Sequence, residues 1–474
     1  MRRGSALAAP WLLLLAVASC CGQYEKPAFP PVFTRRPFLV AWNMPTQDCK
    51  PRFKVQLDFS LFDLQATPNE GFVDQNITIF YKERLGLYPY YTPQGVAVNG
   101  GVPQNSSILD HLDRLPEGIN KYIRSETREG LAVIDWEEWR PIWVRNWKLK
   151  DIYRQASRQL VKSNHPDWPE DRVNKEATFE FETSAQKFMI STLQHAKNYR
   201  PKKLWGYYLF PDCYNHDYNK NQATYTGQCP DVEKSRNDQL AWLWKESTAL
   251  YPSIYLDQML ASSENGRKFV HWRVMEAMRI SHRHHDGYSL PVFVYTMATY
   301  SRTISVLSQV DLVSTVGESA ALGAAGTIFW GDADQTGSRE ACQSIKTYME
   351  GELGRYIVNV TTAAQHCSQE LCHGHGRCLR KNSNSNTFLH LNPATFRIRR
   401  RETPDGQQPL LWADGEFSSA DTAYLRTHFQ CHCYMGWEGE ACKQSVNGAR
   451  DTFDPLGVLD LLVLMTLALL TCLG

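Results

Sequence analysis

Between about Phe33 and Met349 the chain alternates two textures. Short runs of apolar, β-branched or aromatic residues recur at Phe38–Trp42, Leu131–Asp135, Leu204–Leu209, Leu290–Tyr295 and Thr327–Trp330. Between them lie stretches with helix-forming composition and apolar positions three or four apart, among them Asp151–Lys162, Ser184–Tyr199, Arg236–Leu250 and Arg267–Ile280. Strands that read almost wholly apolar are buried on both faces, as in a parallel sheet. Strands alternating with helices over this length predict an α/β fold, either a barrel or a doubly wound sheet. No Gly-rich fingerprint follows the first strand, which argues against dinucleotide binding and favours a (β/α) barrel over residues 23–362.

After Asn359 the pattern gives way to a dense cysteine cluster. Cys431-His-Cys433-Tyr-Met-Gly436-Trp-Glu-Gly439-Glu-Ala-Cys442 has the ending of an EGF-like module, and Gly436 and Gly439 suit its tight turns. With Cys367, Cys372 and Cys378 this predicts a disulfide-rich module at 363–443. EGF order pairs Cys367–Cys378, Cys372–Cys431 and Cys433–Cys442, although the spacing alone permits fifteen arrangements. A long insertion separates Cys378 from Cys431 and carries the basic run Arg397-Ile-Arg399-Arg400-Arg401. It reads as an exposed, mobile loop, with a processing-protease site at Arg400 or Arg401 as the sharper alternative.

The two ends are processing signals. Met1-Arg-Arg, an apolar run to about Val17 and small or weakly polar residues to Gly22 predict a secretory signal peptide at 1–22, too short to span a bilayer. Residues 444–474 supply small residues at Ser445–Ala449, a polar spacer and an apolar tail from Leu461 to Leu473. That order matches a glycosylphosphatidylinositol (GPI) signal with attachment at Asn447, a lipid link to the membrane after the tail is removed. Of thirteen cysteines, Cys20, Cys21 and Cys472 fall in or beside these segments. Ten remain, an even number that permits complete pairing in an oxidising compartment. Asn76, Asn105 and Asn359 open glycosylation sequons. The expected route is secretory, to the outer face of the plasma membrane, with endosomal or lysosomal vesicles as a second place of action.

The formal net charge is +1, so nothing global attracts nucleic acid and an anionic partner needs a local patch. The candidate chemistry lies at Asp135-Trp136-Glu137, which closes the apolar strand Leu131–Ile134. Alternate strand residues share a face, so both carboxylates point one way with Cα atoms roughly 6.5 Å apart. The C-terminal end of a barrel strand is the catalytic face. Two adjacent carboxylates resist double ionisation, which keeps one protonated as a general acid. A solvated acidic strand end is the plain alternative. Trp139, Trp143 and Trp147 recur every four residues and read as the buried stripe of a following helix. His282, His284 and His285 crowd before Gly287 and read as a loop rather than a metal site.

Gly130–Trp147, around this pair, resembles the active-site segment of the hyaluronidases, glycoside hydrolase family 56. The resemblance continues through Trp205–Asn215, Tyr225–Cys229, Asn237–Trp244, Tyr251–Tyr255 and Gly317–Gly326 and covers nearly the whole mature chain. It implies a distorted barrel of the triosephosphate-isomerase type and endo-hydrolysis of hyaluronan, with chondroitin as a second substrate. Catalysis would be retaining, with the substrate's own N-acetyl group in place of an enzyme nucleophile. Glu137 would be the acid and base, Asp135 would orient the reacting groups, and Tyr208 and Tyr255 would hold the acetamido group. Trp330, Arg140, Arg273 and Asp212 would bind substrate. The resemblance also implies bridges Cys49–Cys342 and Cys213–Cys229. The protein is expected to be a monomer, and the chemistry requires no metal and no cofactor. The competing reading is a surface receptor that binds hyaluronan with little turnover.

Overall fold

The computed structural model describes residues 26–33, 36–66, 73–401 and 410–446. The expected leader, Cys20, Cys21, Cys472 and the anchor signal from Asn447 onward lie outside these residues.

The apolar runs become the staves of a parallel barrel. In chain order these are β1 (Leu39–Asn43), the short β2 (Leu64–Gln65) and β3 (Ile77–Tyr81). A small antiparallel pair follows, β4 (Tyr90–Tyr91) with β5 (Ala97–Val98). The remaining staves are β6 (Gly130–Asp135), β7 (Lys203–Tyr207), β8 (Phe293–Met297) and β9 (Gly326–Trp330). Hydrogen bonding runs β2-β1-β9-β8 on one side and β3-β6-β7 on the other, every pair parallel. Single bridges Tyr208–Tyr251, Leu250–Val292 and Ser253–Tyr295 thread one more extended segment between β7 and β8, joining the two halves. Among the described residues no ladder joins β2 to β3, and the barrel is distorted there.

Alternate stave residues fill the interior, including Leu39, Ala41, Ile77, Ile79, Leu131, Val133, Leu204, Tyr251, Phe293, Tyr295 and Ile328. Their neighbours in sequence face outward into a second core under the helices, such as Val40, Trp42, Phe80, Ala132, Ile134 and Trp205. This two-sided burial is what the unbroken apolar runs signalled. The intervening segment Leu250–Ser253 escapes the pattern because Pro252 has no N–H to give a ladder and reads against a strand.

The outer helices begin with α1 (Ile108–Tyr122), whose N-cap Ser107 accepts from the Asp110 amide. Next come α2 (Asp151–Asn164) and the long α3 (Glu170–Tyr199). α3 starts earlier than its composition suggests because Val173 and Ala177, four apart, pack on Val161 of α2. The stretch Arg236–Leu250 divides into α4 (Asp231–Gln239), α5 (Ala241–Glu246) and the extended segment. α6 (Glu264–Arg283) is capped by Ser263. The short α7 (Gln309–Leu312) and α8 (Glu318–Ala321) flank a π-turn before β9.

The boundary expected between residues 362 and 363 falls inside a helix. After α9 (Arg339–Glu350), α10 runs from Glu352 to Cys372 without a break, and one apolar core contains both Leu353 and the half-cystines Cys367, Cys372, Cys378 and Cys442. β10 (Gly376–Arg380) begins the C-terminal layer. The described residues of the insertion, 379–401 and 410–430, are folded onto the core and do not form the exposed loop expected. They form the hairpin β11 (Phe396–Arg400) with β12 (Leu411–Gly415), then α11 (Ser419–His428), held down by buried Leu389, Leu391, Phe396, Leu411 and Leu425. β13 (Phe429–Cys433) pairs antiparallel with β10, and β14 (Trp437–Glu438) with β15 (Gln444–Ser445). The bridges Cys367–Cys378, Cys372–Cys431, Cys433–Cys442 and Cys49–Cys342 are formed. Cys213 and Cys229 are not bonded: both are buried free thiols, lying against each other, and burial pushes the Cys213 thiol up and keeps its proton in place. Among the described residues no helix is long and apolar enough to cross a membrane.

Five histidines sit at the seams between these layers, His111 and His432 fully buried and His216, His282 and His390 partly so. Burial lowers His111, His216, His390 and His432 to about 4 and His282 to about 3. Two of them, His282 and His432, sit with ring centroids 5.0 Å apart where α6 meets β13. Folded, these rings stay neutral; unfolded, each takes a proton below roughly pH 6.5. The unfolded chain therefore binds more protons, and stability present above that pH is lost as pH falls toward 4. The melting temperature is expected to fall by about 5 °C or more between pH 7 and pH 5. Equal melting temperatures at the two pH values would contradict this burial.

Candidate active site

The site is made by the two-residue period of the staves at their C-terminal ends. On β6 the inward series Leu131, Val133 ends at Asp135; on β3 the series Ile77, Ile79 ends at Tyr81, the register partner of Asp135. β9 contributes Ile328 and then Trp330, and Tyr208 follows β7 directly. With Tyr255 and Tyr295 they enclose a cavity of about 90 Å³ lined by Ile79, Val133, Asp135, Glu137, Tyr208, Tyr255, Tyr295 and Trp330. The four predicted residues Asp135, Glu137, Tyr208 and Tyr255 are thus brought together, with Trp330 as a wall.

The aromatic side chains of the lining brace one another. Trp330 stacks on Tyr255 with centroids 5.8 Å apart and donates from Nε1 to Tyr81 Oη at 3.3 Å. Tyr208 packs edge-on against Tyr295 at 5.2 Å, and its hydroxyl donates to Ser253 Oγ at 3.3 Å. Burial pushes the Tyr208 and Tyr255 phenols up, so both remain hydrogen-bond donors at neutral pH.

The two carboxyl groups have opposite surroundings. Asp135 lies within the cavity wall, and its Oδ1 is buried with no hydrogen-bond partner. Burial, then the charges of Glu137 and Glu138, push its carboxyl up to about 8. Glu137, two residues on, lies beyond the strand end, with 48% of its side chain exposed. Arg140 fastens it from below: Nη2 reaches Glu137 Oε1 at 3.3 Å and Nη1 the Glu137 carbonyl at 3.0 Å. Lys150 also donates to the Glu137 carbonyl, and to that of Glu138 at 3.3 Å. Burial and then Arg140 lower the Lys150 ammonium to about 8.

Two expected substrate cations are therefore occupied. Arg140 is paired with Glu137. Arg273 is buried and donates from all three guanidinium nitrogens, to Asn215 Oδ1 at 3.0 Å, Ser253 O at 2.8 Å and His216 Nε2 at 2.9 Å. It shapes the segment that carries Ser253 and does not line the cavity. Asp212 is likewise outside the lining: it pairs with Arg145, and with Arg273 at 3.8 Å. No helix spans Trp139–Trp147. Asn146, fully buried, accepts from the Arg140 amide at 2.8 Å and donates back to the Arg140 carbonyl at 2.9 Å, closing the segment into a loop. Trp139 is buried there and donates to Pro89 O at 2.9 Å.

Sequence reasoning missed Tyr81, Tyr295, Ser253, Lys150 and Asn43. The first two were legible in principle, as inward positions at or near stave ends. Asn43 ends β1 two residues past inward Ala41, and its Nδ2 is buried without a partner. Lys150 had no signal, because only the folded loop returns it to Glu137.

The family model for hyaluronidase matches residues 27–446. The chain is 59% identical to hyaluronidase-2 of Mus musculus over 424 residues, 90% of this chain and 89% of that one. It is 55% identical to hyaluronidase-2 of Homo sapiens over 472 residues, 99% of both chains. Bee venom hyaluronidase in complex with a hyaluronic acid tetramer is a structural neighbour, with a TM-score of 0.58 and 33% identity over 68% of this chain and 98% of that one.

The Asp135 environment sets the sign of a stability effect. Its folded value of about 8 lies above the unfolded value of roughly 4, so between these the folded protein holds one proton more. That contribution is fully present below pH 4 and is lost as pH rises through 8. Asp135→Asn, which cannot ionise, is expected to raise the melting temperature relative to the parent at pH 8 and not at pH 4. Calorimetry showing the same difference at both pH values would contradict the assignment.

Proposed function

The chain belongs to the hyaluronidase family, glycoside hydrolase family 56, and from that premise we propose that it cuts hyaluronan internally at β-1,4 bonds, with chondroitin as a second substrate. The supporting observation is the composition of the cavity wall. Its carboxyl groups, Asp135 and Glu137, come from one strand end, and the rest of the lining is aliphatic or aromatic. A glycosidase with its own nucleophile or water-activating base needs a second carboxyl group across the sugar ring. Here the sugar's N-acetyl oxygen fills that role.

Glu137 gives its proton to the departing glycosidic oxygen while the acetamido oxygen closes on C1, forming an oxazolinium ring. Asp135 is neutral in the empty cavity because burial opposes its charge. Positive charge developing on the acetamido group is stabilised by the Asp135 carboxyl group beside it, which accepts a hydrogen bond from the acetamido N–H and keeps its own proton. Tyr208 and Tyr255 orient the acetamido group, and Trp330 packs against the sugar. Glu137, now a carboxylate, takes a proton from water, which attacks C1 from the vacated side, displaces the acetamido oxygen to open the ring and restores the original configuration. A receptor that only held the polymer would gain nothing from a buried, unpartnered carboxyl group, which costs stability.

The reading extends to the rest of the chain. The segment 363–443 is an EGF-like module with an insertion, a reading supported by its three bridges and by the pairing of β10 with β13. The protein is a monomer carrying glycans at Asn76, Asn105 and Asn359. It travels by the secretory route and is held by a GPI lipid at the outer plasma membrane, and it also works in endosomal and lysosomal vesicles.

Glu137→Gln is expected to lower hyaluronan cleavage by roughly 100- to 10,000-fold, read as polymer size on gels. Equal size reduction by mutant and parent would remove Glu137 from the mechanism. A phosphatidylinositol-specific phospholipase is expected to release the protein from intact cells; full retention would count against the anchor.

A further inference from the structure

The run Arg397-Ile-Arg399-Arg400-Arg401 has the composition of a processing site, yet the fold gives it a different use. Four of its residues lie on β11, paired with β12, and the Arg401 amide continues the ladder to the Leu410 carbonyl at 3.0 Å. A protease that takes its substrate as a free extended chain would first have to strip these bonds. The alternation of the strand then sorts the arginines by face.

One face turns to the body of the protein. Phe396 is buried, Ile398 packs on the core, and Arg400 Nη2 donates to Glu350 Oε2 at 2.9 Å. The other face carries Arg397, Arg399 and Arg401, spaced roughly 6.5 Å apart along the strand. Trp412 lies directly across from Arg399, and the Arg401 guanidinium sits 5.0 Å above the Trp412 ring. The carboxylate opposite Arg397 is Asp414, which bonds Arg399 Nε at 3.0 Å with more than half of both side chains exposed. So exposed a pair is weak and yields to a competing anion. A row of guanidinium forks beside an indole is matched to carboxylate or sulfate groups repeated along a sugar chain.

We propose that this face of the β11–β12 hairpin is an exosite for a polyanionic glycan, distinct from the catalytic cavity. It would hold a long chain while another stretch occupies the cavity. Because its inner side is held by Ile398 and Arg400, the strand that carries the arginines is already in place and does not have to be ordered on binding. The choice of an anionic glycan as occupant rests on the functional reading above; the anion preference rests on the arginines alone.

The test uses the full-length chain with Glu137→Gln, which holds the polymer without cutting it. The triple variant Arg397→Ala/Arg399→Ala/Arg401→Ala is compared with it on three ligands: heparin, high-molecular-weight hyaluronan, and a hyaluronan oligosaccharide short enough to fill only the cavity. The triple variant is expected to bind a long glycan about tenfold more weakly at low salt, with the oligosaccharide unaffected. Loss on heparin assigns a sulfated ligand; loss on hyaluronan assigns the carboxylated polymer. Arginine-to-lysine replacements should restore much of the binding, and unchanged melting temperatures show that the fold is intact. Unchanged affinity for both long glycans overturns the exosite. So does arginine-dependent binding to anionic lipid vesicles without any glycan effect, or a chain found cut between Arg400 and Arg401. If the oligosaccharide fails to bind at all, the cavity reading fails, and the heparin comparison still decides the exosite.

Discussion

The site depends on one constraint: a carboxyl group placed at the last inward position of a strand whose other inward positions are apolar. Leu131 and Val133 fill the barrel interior, so Asp135 has no freedom to turn toward water without moving β6. Its neighbours Ile79, Tyr208, Tyr255, Tyr295 and Trp330 exclude water further. Desolvation, more than the nearby negative charges, makes the carboxyl group retain its proton. Glu137, just past the strand end, sits in a loop that the same desolvation does not enclose, and it needs Arg140 and Lys150 to fix its place. Two carboxyl groups two residues apart thus receive opposite surroundings from position alone.

The C-terminal layer is fastened to this barrel by a charge that the barrel buries. Glu318 of α8 is fully buried between His271 Nδ1 of α6 at 2.6 Å and two donors of Arg380 on β10. Burial alone would raise its carboxyl group, but the hydrogen bonds from His271 and Arg380 outweigh it and hold it below the ordinary range. Removing either partner would strand a buried charge, the situation that costs most in such pairs. Together with the unbroken α10 and the continuous apolar core, this triad ties the barrel to the cysteine-rich layer.

What could be read from the sequence follows from the kind of interaction involved. Parallel staves are buried on both faces, so Leu131–Ile134 announces itself as a strand, and Asp135 and Glu137 at its end announce chemistry. Period and burial carry that much. The roles of Tyr208, Tyr255 and Trp330 came through family resemblance, since an aromatic residue in isolation looks like core. Arg273 shows where resemblance to a motif fails to give geometry: its guanidinium is consumed by Asn215, Ser253 and His216, contacts that no local pattern encodes. The tryptophan stripe misled for a related reason. Helical spacing at Trp139, Trp143 and Trp147 was overridden by the buried amide of Asn146, which closes a loop instead. The arginine run was read as a solvated loop because charge dominates it, while the apolar residues that pin the hairpin are scattered from Leu389 to Leu425.

The central claim is that Glu137 works without an enzyme nucleophile, the substrate's acetamido oxygen taking that part. Its most direct test is the configuration of the sugar first released. Proton NMR recorded during early turnover of hyaluronan should show the new reducing-end N-acetylhexosamine appearing as the β anomer, with the α anomer growing in only through mutarotation. Appearance of the α anomer first would mean a single inverting displacement by water, which requires a base across the ring and would contradict the assignment of Asp135 and Glu137 to one wall acting with the substrate's own nucleophile.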